Sequence, residues 1–149
     1  MQRTPKMTHM MDKLLKSQLE GFMALVFLLL THSGGGQSQV TGTSLPIVAM
    51  IGDDAVLPCH LETATDATHL TAEWTRSDLD PRFVYFRRDG VEFQQEQNPL
   101  YTGRTSLSTN KLKFGDISLK LSKVRLSDAG TYRCLVPKSG TESAIVLTV

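Results

Sequence analysis

Residues able to do chemistry are few in this chain, and they are scattered. His60 and Glu62 stand at strand spacing, which would place two metal-ligand types on one face. Two ligands do not complete a metal site, and a histidine at a strand end is far more often simply solvated. Asp53-Asp54 and Asp78 with Asp80 are paired carboxylates, but acidic residues in turns usually cap backbone amides. The run Gly34 to Gly36 is not followed by Gly-Lys-Ser/Thr, so it is no phosphate loop. The reading is therefore of a non-enzymatic chain, with no catalytic residue, no metal ligand, no cofactor and no small-molecule substrate.

The cysteines are the exception. The stretch LSDAGTYRC sets Asp128, Gly130, Tyr132 and Cys134 two residues apart. Residues two apart in a strand share a face, so Tyr132 and Cys134 point inward together while Thr131 and Arg133 meet water. Only one other cysteine is present, Cys59, and whether the two pair depends on the compartment. Lys13 and Lys16 precede the apolar run FMALVFLLL, Phe22 to Leu30, and the small polar residues THSGGGQS follow it. That is the layout of a secretory signal peptide, and nine apolar residues are too few to cross a bilayer as a helix. Cleavage after Ser38 makes residues 1–38 the signal and residues 39–149 one mature domain beginning at Gln39. In an oxidising compartment two cysteines read as one disulfide. Closing so long a loop removes unfolded-chain entropy worth about 4 to 5 kcal/mol in the chain-entropy account.

The elements that must hold these residues are strands. From Leu45 onward short apolar or alternating runs (LPIVAM, AVLPCHL, LTAEWTR, RFVYFRR, VEF, RTSLS, DISLKLS, TYRCLV, SAIVLTV) are broken by turn chemistry, with no sustained helical period. Such spacing predicts an all-β sandwich or barrel. Asp89-Gly90 predicts a tight hairpin between RFVYFRR and VEF, because both positions tolerate positive φ. Lys138-Ser139-Gly140 turns TYRCLV back against SAIVLTV, and Ile117, Leu119 and Leu121 form one apolar face. Beyond residue 38 there are 12 Lys plus Arg against 13 Asp plus Glu, with the signs interspersed. Nothing in that balance draws the chain to nucleic acid or anionic lipid.

Trp74, the sole tryptophan, follows Cys59 by fifteen residues. The set Cys59, Trp74, Tyr132, Cys134 matches the immunoglobulin framework, in which an indole fills the slot beside an inter-sheet disulfide and a tyrosine closes a corner. Tyr132 then stands at that corner with its hydroxyl returned to backbone, Gly130 leaves space there, and Asp128 meets a cation. PIVAMIGDDAVLPCHL, YTGRTSL and LSDAGTYRC together resemble the V-type domain of the butyrophilin and myelin-oligodendrocyte glycoprotein group across almost all of residues 40–149. The resemblance implies a V-type β-sandwich of two antiparallel sheets, and an ion pair between Arg104 and Asp128. SGTESAIVLTV lacks the Phe-Gly-x-Gly of rearranged antigen receptors, and no Asn-x-Ser/Thr sequon is present.

A binding module is the function this composition suits, and strand phase points to its surface. With Trp74 inward, Glu73 and Thr75 face out. With Val84 and Phe86 inward, Tyr85 and Arg87 face out, joined by Arg133 and Leu135. Glu73, Tyr85, Arg87, Arg133 and Leu135 are thus the expected partner-binding residues, tyrosine and arginine being the types that most often carry interface energy. The resemblance implies a receptor on lymphocytes as partner and modulation of T-cell signalling. The alternative is a homophilic adhesion unit with weak self-association. The expected location is extracellular: secreted as the chain stands, or on the outer side of the plasma membrane if the chain is a fragment.

Overall fold

The structure, a computed structural model, describes residues 5–31 and 45–149. Two units are distinguished, Met1–Thr41 and Gly42–Val149. The first carries helix α1, Pro5–Thr31, which contains the apolar run Phe22 to Leu30. No helix among the described residues is long and apolar enough to cross a membrane. The expected cleavage position after Ser38 lies outside the described residues.

Among its described residues the second unit holds nine strands: β1 (Ile47–Val48), β2 (Ala55–Leu57), β3 (Ala72–Thr75), β4 (Phe83–Arg88), β5 (Val91–Glu92), β6 (Thr105–Leu107), β7 (Leu119–Leu121), β8 (Gly130–Val136) and β9 (Thr141–Thr148). They form a six-stranded sheet in the order β1-β9-β8-β3-β4-β5 and a three-stranded sheet β2-β7-β6. All pairings are antiparallel except β1 with β9. The Asp89-Gly90 hairpin is present: φ is 49° at Asp89 and 81° at Gly90, both on the positive side that such a two-residue turn requires. Glycine at 90 is also required by space, since a Cβ there would lie 2.6 Å from the Thr68 carbonyl oxygen. Pro137–Ser139 and Gly140 turn β8 back onto β9.

The core lies between the sheets. Leu57, Ile117, Leu119 and Leu121 from one sheet meet Trp74, Tyr132, Val136, Ile145 and Leu147 from the other, all essentially without solvent exposure. Cys59 and Cys134 are joined across the sandwich. Trp74 is the direct neighbour of Cys134 in the β3–β8 register, and its indole N–H donates to the Ile117 carbonyl at 3.0 Å, so the buried nitrogen is satisfied while the ring fills the slot beside the disulfide.

One expectation is overturned. Trp74 stands opposite Tyr85 and Ala72 opposite Arg87, whereas Glu73 stands opposite Phe86. Directly opposed residues share a face, so Tyr85 and Arg87 point inward with Trp74, and Phe86 points outward with Glu73. Tyr85 is 4% and Arg87 is 7% exposed. The register shifts between Trp74 and Thr75, where Thr75 pairs with Phe83 and Val84 is the additional residue on β4. A bulge of this kind inverts the alternation beyond it, and a one-residue slip moves every following side chain to the other face.

Candidate protein-binding face and the frame behind it

The frame is built around two buried arginines. Arg104, at the mouth of β6, donates from Nη1 and Nη2 to both carboxylate oxygens of Asp128 at 2.8 Å. The pair is sealed from water, with side-chain exposures of 8% and 2%. Asp128 ends a short 3-10 turn, Leu126–Asp128, where it also accepts the Arg125 backbone N–H at 2.8 Å. Burial pushes the Asp128 carboxyl up, but the Arg104 guanidinium and the Arg125 amide together outweigh it and hold the group below the usual carboxylate range. Arg104 is held charged by the same contact. The pair implied by the sequence resemblance is thus present as a bidentate, buried contact.

Tyr132 is at the corner as expected: its hydroxyl donates to the Asp128 carbonyl at 2.6 Å and lies 2.9 Å from the Tyr101 hydroxyl. Burial and the neighbouring Tyr101 raise the Tyr132 phenol far above its ordinary value. Arg76, which no motif singles out, completes this site. Its Nη1 donates to the Tyr101 hydroxyl at 2.7 Å and to the Ser127 carbonyl at 2.9 Å, and its other edge grips Asp78 at 2.6 and 3.0 Å. Asp78 therefore serves an arginine in addition to the backbone amide that turn chemistry alone suggested. Gly130 is required here because a Cβ would sit 2.9 Å from Arg76 Nη2. Asp54 does act as expected, accepting the Lys123 amide.

His60 Nδ1 lies 3.7 Å from Asp116, Glu62 is not part of that contact, and among the described residues no three His, Cys, Asp or Glu converge as metal ligands.

The outer face of the six-stranded sheet is where candidate binding residues gather. Glu73 lies between Leu135 of β8 and Phe86 of β4 in register, and Thr75 opposes Arg133. Glu73 and Leu135 are half-buried and Arg133 is exposed, its guanidinium paired with Glu142 at 3.3 Å. Tyr85 and Arg87 are absent from this face. Arg87 Nη2 instead donates to the Thr68 and Gly90 carbonyls at 2.6 and 3.0 Å, leaving its buried Nε without a partner. Burial pushes the Tyr85 phenol up.

Aromatic residues take the vacated place. Phe83, Phe86 and Phe93 form one cluster, with ring centroids 4.9 Å apart for the first pair and 5.9 Å for the second. Arg82 stacks over Phe83 at 5.2 Å, and Arg88 over Phe86 and Phe93 at 5.4 and 5.5 Å. The readable signal was the run FVYF between arginines, apolar at every position and therefore able to serve both faces of a sheet.

The immunoglobulin V-set domain profile matches residues 42–149. Marmoset (Callithrix jacchus) myelin-oligodendrocyte glycoprotein is 38% identical over 126 residues, covering 83% of this chain and 51% of that protein. Human butyrophilin subfamily 1 member A1 is 37% identical over 125 residues, covering 83% of this chain and 24% of its own length. The chain thus spans about half the length of the first of these relatives and about a quarter of the second. Among solved structures, bovine butyrophilin superposes with a TM-score of 0.65 at 33% identity, over 72% of this chain and 52% of the other. The human B7-H4 IgV-like domain gives 0.61 at 26%, over 70% and 92%. With the two sheets, the Cys59–Cys134 bridge and the Tyr132 corner in place, the chain belongs to the immunoglobulin V-set family, as a non-enzymatic extracellular domain related to the butyrophilins and myelin-oligodendrocyte glycoprotein.

Proposed function

We propose that this domain is a ligand for a receptor on lymphocytes, that it modulates T-cell signalling by protein contact alone, and that residues 1–38 are removed on secretion to leave Gln39 first. The observation carrying the reading is the outer face of the six-stranded sheet. It collects Glu73, Arg133, Leu135 and the Phe83–Phe86–Phe93 cluster, whereas the three-stranded sheet presents Val56, Ser106 and Lys120 outward. Aromatic and arginine side chains concentrated in one patch are the composition of an interface centre. The relationship to butyrophilins and B7-H4 supports an immune cell surface as the setting.

The secreted chain, made multivalent and fluorescent, should bind a subset of lymphocytes. Substitutions Glu73→Ala, Arg133→Ala and Leu135→Ala should weaken that binding with little change in melting temperature, and Lys120→Ala on the opposite sheet should leave it intact. Loss of binding confined to Lys120→Ala would place the contact on the wrong sheet. Concentration-dependent dimerisation in sedimentation, with no lymphocyte binding, would replace this reading by homophilic adhesion.

A further inference from the structure

The arginines of the domain differ in their partners. Arg76, Arg104 and Arg133 each have a carboxylate within ion-pair distance. Arg82 and Arg88 are exposed and make no ion pair among the described residues. Each lies over an aromatic ring of the Phe83–Phe86–Phe93 cluster. Stacking occupies the face of a guanidinium and orients its plane, while the N–H edge stays free to form two parallel bonds to a carboxylate. Two donors thus flank an apolar centre with no acid partner among the described residues.

Accepting the outer face as the binding surface, we propose that the partner is a folded protein carrying two separate carboxylates, received by Arg82 and Arg88, on either side of an apolar contact seated over Phe83 and Phe93, the half-exposed rings of the cluster. The acids around the patch argue against a polyanion. Glu73 lies directly opposite Phe86, Asp80 stands two residues before Arg82, and Asp89 follows Arg88, so a continuous negative tract would meet repulsion both between its two anchors and just beyond each of them. Arg82 precedes β4 and Arg88 ends it, with the Phe83 and Phe86 rings between their guanidinium groups, so each arginine receives its own carboxylate and the two losses should multiply.

The test uses the full secreted chain, multimerised on fluorescent streptavidin. It is titrated onto lymphocytes and onto cells each displaying one receptor ectodomain. Arg82→Glu and Arg88→Glu should each weaken binding about tenfold, and the double variant about a hundredfold, the product expected of independent sites. Arg82→Lys and Arg88→Lys should recover only part, because an ammonium cannot make the bidentate contact. Lys120→Glu should change nothing, and unchanged melting temperatures confirm folding. A double glutamate variant that binds within about twofold of wild type overturns the proposal. So do full rescue by lysine together with displacement by heparin, which would mark a polyanion, and a chain that binds neither lymphocytes nor any displayed ectodomain. Binding that needs Leu135 and Arg133 but ignores Arg82 and Arg88 keeps the face and removes this inference. Binding to a non-lymphoid ectodomain that does need both arginines supports it while removing the lymphocyte reading.

Discussion

Substituting Asp128 by Asn removes one negative charge from a site that water does not reach. The carboxylate receives two bonds from Arg104 and one from the Arg125 amide, and the pair is 2% and 8% exposed at its two side chains. Breaking a buried pair on one side generally costs about 3 to 5 kcal/mol, because the remaining charge stays desolvated. Arg104 keeps the carbonyls of Leu100, Ser122 and Lys123 as acceptors, and asparagine still offers an oxygen to the Arg125 amide. The loss belongs at the lower end, about 3 kcal/mol. At roughly 4 °C per kcal/mol for a domain near 100 residues, the melting temperature should fall by about 12 °C at pH 7.

The pH dependence gives a second reading of the same contact. The folded carboxyl titrates below its unfolded value, so its contribution is complete above about pH 4 and is lost as pH falls through the folded value. Below that point wild type carries a neutral group at position 128, as the variant does, and the two stability curves should converge. Urea midpoints measured for both proteins from pH 7 down to pH 2.5 test this. A variant within about 1 kcal/mol of wild type at pH 7 would refute the buried-pair argument and put the contact with exposed pairs of small worth. A gap that stays constant into acid would show that the loss comes from packing and not from charge.

Two further outcomes follow from the packing. Tyr85→Ala should cost about 3 to 5 kcal/mol in urea unfolding, as a large buried ring does; a change below about 1 kcal/mol would return Tyr85 to the surface and undo the register of β4. Gly130→Ala should destabilise by about 1 to 3 kcal/mol, because the new methyl must push the Arg76 guanidinium from Tyr101 and Tyr132. The same change made in an Arg76→Ala background should cost clearly less, and equal costs in both backgrounds would show that backbone conformation, not this contact, is responsible.

What the sequence disclosed depended on how distinctive each side chain is. Cysteine, tryptophan and the tyrosine before Cys134 have few alternatives, and their spacing carries both the period of a strand and the geometry of a disulfide slot. Asp89-Gly90 was legible because few dipeptides accept two positive φ angles in succession. Strand β4 was not. Phe83, Val84, Tyr85 and Phe86 are apolar without a break, so alternation gives no phase, and a bulge leaves no mark in a string of such residues. Arg76 was hidden for another reason: arginine is a surface residue by default, and its partners Tyr101 and Ser127 lie 25 and 51 positions away. Only the fold brings them together.

The corrected phase of β4 gives the strand two separable tasks. Tyr85 and Arg87 face the core beside Trp74 and Ala72, while Phe86 and Arg88 belong to the outer cluster. Neighbouring residues therefore answer to different constraints: one must fit a closed interior, and the next is free to follow a partner. Phe86 shows where the two meet. It is 5% exposed yet stands outside the sandwich core, covered by Phe83, Phe93 and the stacked Arg88. The side chains above it, not the opposite sheet, keep water from its ring. A partner approaching this face would thus meet Arg88, Phe83 and Phe93 before Phe86, so the position of an arginine on β4, and not the number of arginines in the chain, should govern binding.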